Sequence, residues 1–425
     1  MSSFAQQSKS FLSWLRISEN ATVSEKVGIH DYREWGQGRG VIALEDILED
    51  ELLFSIPKTS LLTVENSDLS KFIEGVKELG PWLGEILTLM FENQREESRW
   101  RAYLDILPKT LDTPMFWLDC ELEHLQGTDV LSKIGKDDAE QSFNDILLPI
   151  ITSHPELFDS SKCTLSEFHR CGSLILACSF DLESPIQGPD AEDEQEPPKG
   201  MVPLADLLNA NTELNNGRLF HEEISLDMKA LKPILKGEQI FNTYGDLPNS
   251  DLLRKYGYVQ NDNVNDTVEI PGDMIINLCG EVEMKEKKIE YLLDEGILDD
   301  SIEIDINGIP DELVVIISTL LLPEKEFLRH MKAGKVPQGR KDVEMKMLVR
   351  NLLEKRLCAY MTSETMDEEL MVYGTGLSYR ERMAVIVRLG EKKLLKAAIE
   401  QVDSWTDSGR PSKRLKTTLD DGISD

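Results

Sequence analysis

The chain has 425 residues, 40% of them hydrophobic, and sets 46 Lys and Arg against 78 Asp and Glu for a net charge of −32. That composition supports packed cores and two or three domains of ordinary size. The charge disfavours a grip on nucleic-acid phosphates and leaves either basic proteins as attracted partners or a role in solubility alone.

No apolar run approaches the roughly 20 residues that a membrane helix needs. The longest, Leu313 to Leu322, is broken by Ser318 and Thr319 and stopped by Pro323. The opening MSSFAQQSKS has no basic stretch followed by an apolar one, so no secretory signal is expected, and a soluble intracellular protein follows. Cys120, Cys163, Cys171, Cys178, Cys279 and Cys358 form no CxxC pair, and the six histidines form no HExxH. No metal centre is expected from them.

Along the chain, the first distinctive segment is Trp35-Gly36-Gln37-Gly38-Arg39-Gly40-Val41. It is not GxGxxG and leads into a strand, so dinucleotide binding at a helix N-terminus is not supported. Its glycines permit either a plain turn or a close approach of backbone to a ligand.

An internal echo follows. Ala43 to Phe54 and Ala230 to Phe241 share A-L-x-x-I-L-x-x-E-x-[LI]-F. Each copy reads as a hairpin of strand, polar turn and strand. Ile224, Leu226, Met228 and Ala230 alternate with polar residues, the period of a half-buried strand. Two related hairpins so far apart point to one β domain interrupted by a long insertion.

Between the copies the pattern is helical. Leu83, Ile86, Leu87 and Met90 share one face, and Leu165, Phe168 and Leu176 mark another helix. The acidic run Asp190 to Pro198 cannot bury a core and reads as a disordered loop. Then come Gly200-Met201-Val202-Pro203-Leu204-Ala205-Asp206-Leu207-Leu208-Asn209-Ala210, Phe241-Asn242-Thr243-Tyr244-Gly245 and Leu252 to Tyr258.

Beyond about Asp262 the chain turns α-helical. Leu313, Ile316, Ile317, Leu320 and Leu321 form one apolar stripe; Met383, Ile386, Val387, Leu394 and Ala398 form another. The tail carries Lys413-Arg414-Leu415-Lys416 after Pro411, a short basic cluster that suits nuclear import.

No single cluster defines a chemistry. In this order, however, they resemble the SET-domain methyltransferases of the Rubisco large-subunit methyltransferase-like class. The resemblance runs from about Phe11 to Ala398. It includes Trp100-Arg101-Ala102-Tyr103-Leu104, Pro114-Met115-Phe116-Trp117, Leu125-Gln126-Gly127-Thr128, Arg382-Met383-Ala384 and Arg388-Leu389-Gly390-Glu391-Lys392. Ser179-Phe180, Met201-Val202-Pro203 and Asn242-Thr243-Tyr244-Gly245 are most similar to the branch that holds SET-domain-containing protein 6 and fungal ribosomal lysine N-methyltransferase 4.

The resemblance implies an α+β fold: a split, β-rich SET domain with a pseudoknot near Tyr244 and a helical insertion, then an all-α substrate-binding domain. The expected organisation is an N-terminal helix over 1–20 and a SET domain over 21–260, with a helical insertion over 55–200 and an acidic loop over 188–199. A helical C-terminal domain over 261–402 and a disordered, basic-containing tail over 403–425 complete it.

The resemblance also implies a protein-lysine N-methyltransferase that uses S-adenosyl-L-methionine and no metal. Gln37, Gly38 and Arg39 take the place of a backbone ledge for the cofactor, joined by Cys178, Asn209, Ala210 and Tyr256. Tyr244 takes the place of the catalytic tyrosine. Trp82, Ser179, Asp181 and Asp206, with Tyr256, line the substrate side. Two positions depart from the class. Ala210 stands where relatives carry histidine, and Cys178 where they often carry arginine or tyrosine.

The expected partner is a basic substrate protein, ribosomal or otherwise nuclear. The expected molecule is a monomer in the nucleus, with the cytoplasm as a second location, and it binds neither nucleic acid nor membrane. Two rival readings are an inactive SET module, motivated by Ala210 and Cys178, and an acidic chaperone for basic proteins, motivated by charge alone.

Overall fold

The computed structural model describes residues 3–182, 197–374 and 376–405. Most of the acidic loop and the basic cluster Lys413 to Lys416 lie outside the described residues. Contacts divide the chain into two units. The first holds the residues up to Phe116, Gly135–Asp246 and Lys255–Gly257; the second holds Trp117–Ile134, Leu247–Arg254 and the chain from Tyr258 onward. No helix among the described residues is long and apolar enough to cross a membrane.

The first unit opens with the helix Phe4–Ile17, started by the Ser3 side chain, which accepts from the Gln6 N–H at 3.2 Å. Its buried face places Phe11 and Leu15 in the core. The strands β1 (Thr22–Val23), β2 (Val27–Asp31), β3 (Arg39–Ala43), β4 (Leu52–Pro57), β5 (Ser179–Asp181), β6 (Lys199–Met201), β7 (Gly217–His221), β8 (Ser225–Ala230) and β9 (Gln239–Ile240) follow. They form three antiparallel sheets in the orders β1-β4-β8-β7, β2-β3-β9 and β5-β6.

The two copies of the echo are not hairpins. Within each copy the strands belong to different sheets: β3 pairs with β9, and β4 pairs with β8. The copies pair with each other instead. Ile47 N–H donates to Ile234 O at 2.9 Å and Ile234 N–H to Ile47 O at 3.0 Å. Ile47 and Ile234 sit in the middle of each expected turn, and both are buried. An apolar residue there gains more from core burial than from a solvent-facing turn, so the strands splay apart around it.

The turn that follows is built the same way twice. Glu51 Oε2 accepts from Leu48 N–H at 2.9 Å, and Glu238 Oε2 accepts from Leu235 N–H at 2.8 Å. Asp50 and Gly237 occupy equivalent positions at φ of 63° and 90°. Glycine takes this conformation freely, and aspartate is among the few other residues that tolerate it.

Leu226, Met228 and Ala230 face the core as their alternation requires, but Ile224 is 78% exposed. It precedes β8, in the turn that Glu222 N–H closes on Ser225 O at 3.0 Å, and so lies outside the pleat. The helix Gly80–Gln94 buries Ile86, Leu87 and Met90. The helix Leu165–Cys178 is capped by Thr164 and buries Phe168, Leu174 and Ile175.

In the second unit, β10 (Val268–Pro271) pairs with β11 (Ser301–Ile304) beside the helices Asp311–Leu321, Val343–Leu357 and Tyr379–Asp403. Leu313, Ile316, Ile317 and Leu320 are fully buried against Val349, Leu352, Leu395 and Ala398. Leu321 was read into the same stripe but is 37% exposed; one residue beyond Leu320, it has rotated about 100° away from the core.

Trp117–Ile134 was expected within the 55–200 insertion. By contacts it groups with the C-terminal residues: Trp117, Leu125 and Val130 pack on Met383, Ala384 and Val387. Arg356 ties this segment down by donating to Gly127 O at 2.6 Å and to Asp129 Oδ1 at 2.7 Å. Nearby, the fully buried Asp367 accepts from Arg388 Nη2 at 2.7 Å and from Lys392 Nζ at 2.6 Å.

Candidate active site

The site grows from the place where β9 runs out. Asn242 N–H donates to Asn209 O, and Asn211 N–H donates to Asn242 O, each at 3.0 Å. This makes a parallel bridge between Ala210 and Asn242 in a unit whose ladders are all antiparallel. The 209–211 segment therefore lies beside the segment leading into Tyr244, near which the pseudoknot is expected.

Two residues on, the Tyr244 hydroxyl donates to Leu208 O at 3.4 Å. Its ring lies on that of Tyr256, with centroids 4.0 Å apart and planes 9° from parallel. Tyr256 is the last residue of the helix Asn249–Tyr256. Gly257 follows at φ 73°, where a Cβ would come within 2.9 Å of the Asp112 carbonyl carbon. Only glycine allows both the left-handed backbone and that close approach.

Arg39 reaches the same bridge through Asn209, and Gln37 and Gly38 precede it in the chain. Gly38 stands at φ 71° with nothing within 4 Å of where a Cβ would sit. Arg39 keeps only its backbone for a ledge. Its guanidinium donates to Ile106 O at 2.9 Å and Gln7 Oε1 at 3.1 Å and lies over the Phe4 ring. Asn209 Nδ2 donates to Arg39 O at 3.4 Å. A Cβ at Gly40 would meet that Asn209 nitrogen at 2.7 Å, so glycine is what lets Asn209 reach the ledge.

Ala210 bears directly on the missing histidine. In the parallel bridge Asn242 makes both hydrogen bonds, and the Ala210 N–H and C=O face away from it. They take no hydrogen bond among the described residues. Half-buried backbone groups normally find partners, so this position offers a donor and an acceptor that need no side chain. The open face of Gly38 and these two groups fit a cofactor with a polar nucleoside and an amino-acid tail.

Asp206 lies in the short helical turn Ala205–Leu207, after Leu204 at φ 80°. Its Oδ2 accepts from the hydroxyl of the fully buried Tyr103. Burial pushes the Asp206 carboxyl up to about 7, against the Tyr103 hydroxyl and backbone N–H groups that draw it down. Cys178 ends the helix Leu165–Cys178; burial and Asp206 push its thiol far up, and it stays neutral.

Trp82 lies half-buried on Gly80–Gln94, with Gly172 of the neighbouring helix 3.7 Å from its ring when a Cβ is built there. Ser179 and Asp181 begin and end β5, and Asp181 is exposed and paired with Lys199 at 2.7 Å.

The structure thus brings Tyr244, Tyr256, Asn209, Ala210, Asp206 and the ledge backbone into one neighbourhood linked through residues 203–211. Trp82, Cys178, Ser179 and Asp181 share the adjoining layer of two helices and β5. Sequence reasoning passed over the Leu208 carbonyl and Tyr103. Only the quoted Trp100 to Leu104 motif pointed toward Tyr103, and a backbone carbonyl leaves no trace in residue identity.

A split β unit crossed near a stacked tyrosine pair, with a helical C-terminal unit, defines a SET-domain architecture with an appended helical substrate-binding domain. The SET domain family matches residues 38–245, and the Rubisco LSMT substrate-binding family matches residues 282–395. The human N-lysine methyltransferase SETD6 is 31% identical over 85% of this chain and 84% of its own length. The Saccharomyces cerevisiae ribosomal lysine N-methyltransferase 4 is 36% identical over 61% of this chain and 57% of its own length. The structure of Rubisco LSMT bound to AdoMet has a TM-score of 0.74 at 22% identity, covers 95% of this chain and 92% of its own, and shares the fold. The chain belongs to the SET-domain N-lysine methyltransferases, a family whose methyl donor is S-adenosylmethionine.

Proposed function

We propose that this protein methylates a lysine side chain of a basic protein, with ribosomal proteins as the substrate class. What carries the reading is the Tyr244 hydroxyl on the Leu208 carbonyl, its ring stacked against Tyr256, with the free backbone groups of Ala210 two residues beyond Leu208. The ribosomal class is supported by similarity to the yeast protein named a ribosomal lysine N-methyltransferase and by the net charge of −32.

S-adenosylmethionine supplies an electrophilic methyl group. A free lysine ammonium has a pKa near ~10.4 and no lone pair to offer. Aromatic walls at Tyr244 and Tyr256 strip water from it and favour the neutral amine. The 4.0 Å stack leaves no room for a lysine between the rings, so the side chain passes along their edges. There the Tyr244 hydroxyl and the Leu208 carbonyl orient the amine, and orientation is the protein's main contribution to such a transfer. Gln37, Gly38, Arg39, Asn209 and Ala210 hold the donor through backbone and the Asn209 amide. Ala210 therefore weighs against an inactive module, because its backbone supplies the contact.

Incubating the protein with labelled S-adenosylmethionine and ribosomal proteins tests the reading. Label on a lysine, lost with Tyr244→Phe, is the expected result; cofactor binding without transfer to any basic protein would favour the inactive module. We also propose a nuclear location. Removing 409–425, which contains Lys413 to Lys416, is expected to shift a tagged protein to the cytoplasm without changing activity in vitro.

A further inference from the structure

Behind the candidate site lies a buried cluster of ionisable groups that the proposed mechanism does not use. Tyr103 is fully buried on the short helix Arg101–Leu104, and its ring packs with Phe11 and Trp14. Its hydroxyl donates to Asp206. The other titratable groups around the pair are Cys178, at the end of Leu165–Cys178, and Glu85, on Gly80–Gln94. Burial and these neighbours push the Tyr103 hydroxyl far above its ordinary value, so it remains a donor at any working pH. Burial likewise pushes the Glu85 carboxyl well above the usual carboxylate range, and burial with Asp206 nearby keeps Cys178 a thiol.

Burial pushes the Asp206 carboxyl up to about 7, so it changes charge near neutrality. It sits two residues after Leu204, whose φ of 80° is unfavourable for a residue with a side chain. It also sits two residues before Leu208, whose carbonyl accepts from Tyr244. Such a strained turn persists only where its surroundings hold it.

We infer that Tyr103 is a positioning residue for methyl transfer: its hydroxyl clamps Asp206, holds the strained 203–208 turn, and so fixes the Leu208 carbonyl that orients Tyr244. This rests on the reading of Tyr244 as the catalytic tyrosine. A hydrogen bond to a carboxylate is about twice as strong as one to a neutral acid, so the clamp is tight when Asp206 is ionised and loosens when it takes a proton. Activity should accordingly fall as pH drops through about 7.

The test compares wild type, Tyr103→Phe, Asp206→Asn and Tyr244→Phe in kcat and KM for a basic protein substrate across pH 6 to 9, with thermal unfolding alongside. Tyr103→Phe keeps the ring and removes the clamp. Its kcat should drop roughly ten- to a hundredfold with KM for S-adenosylmethionine little changed. Because the lost hydroxyl had held the Asp206 pKa down, the remaining activity should show its acid limb at higher pH. Asp206→Asn cannot titrate and should lose the part of that limb centred near 7, leaving only the fall caused by protonation of the substrate lysine, and it decides the matter if Tyr103→Phe does not fold. An inactive Tyr244→Phe beside a Tyr103→Phe of wild-type kcat and pH profile, or an Asp206→Asn that keeps that part of the limb, would overturn the clamp alone. A fully active Tyr244→Phe would overturn the underlying reading.

Discussion

The ring of Tyr244 lies flat on that of Tyr256, 4.0 Å between centroids and 9° from parallel, although the two belong to segments separated by a turn and a helix. Close aromatic pairs of this kind add about 0.5–1.5 kcal/mol beyond area burial. The pair holds the Tyr244 ring while its hydroxyl points to the Leu208 carbonyl. Ring and hydroxyl therefore have separable roles: the ring sets position, and the hydroxyl acts on the amine.

Tyr244→Phe preserves the stack and removes the hydroxyl. Transfer should fall about a hundredfold, the ~3 kcal/mol typical of one well-placed transition-state hydrogen bond. Calorimetric affinity for S-adenosylmethionine and the melting temperature should stay near wild type. Turnover at the wild-type rate would remove the hydroxyl from the chemistry.

Asp206 predicts an opposed pH dependence of stability. In the folded protein burial pushes its carboxyl from an ordinary 3.8 up to about 7. The folded state thus binds this proton more tightly than the unfolded chain, and stability from it is fully present below about pH 4 and lost as pH rises through 7. Asp206→Asn has no charge to bury. Its melting temperature relative to wild type should therefore improve from pH 5 to about pH 7 and then level off, and a constant difference across pH 5 to 7 would show that Asp206 does not titrate in that window.

In the second unit, Asp367 is the shared acceptor of Arg388 and Lys392, and all three are buried. Asp367→Asn leaves two cations without their carboxylate. The expected cost is about 3–5 kcal/mol, the usual penalty for breaking a buried pair by removing one partner. Urea unfolding followed by circular dichroism would measure it. A loss of under ~1 kcal/mol would mean that water reaches the site and solvates the cations.

Steering by the net charge of −32 should appear as salt dependence. Screening shortens to about 8–10 Å near physiological ionic strength, so kcat/KM for a basic protein substrate should fall as salt rises. Turnover at saturating substrate should change far less, because the transfer is local. A kcat/KM indifferent to salt would return the charge to solubility alone.

Much was legible in the linear chain because burial of one face writes a one-dimensional pattern. The stripe Leu313, Ile316, Ile317 and Leu320 and the alternation Leu226, Met228 and Ala230 could be read without any partner in view. The spaced clusters around Tyr244 and Asn209 likewise marked the family.

Pairing between distant segments is different, because residue identity records that a group is buried but not against what. Ile47 and Ile234 looked like turn residues until the two copies were found joined to each other. Nothing in Trp117–Ile134 itself names Arg356 as the residue that holds it. The bond from Tyr103 to Asp206 spans 103 positions. It exists only because the core around Phe11 and Trp14 delivers that hydroxyl beneath the turn. The sequence by itself determined which segments are strands, helices and candidate site; tertiary packing alone decided which of them meet, since the free energy of a contact depends on a partner that local patterning cannot name.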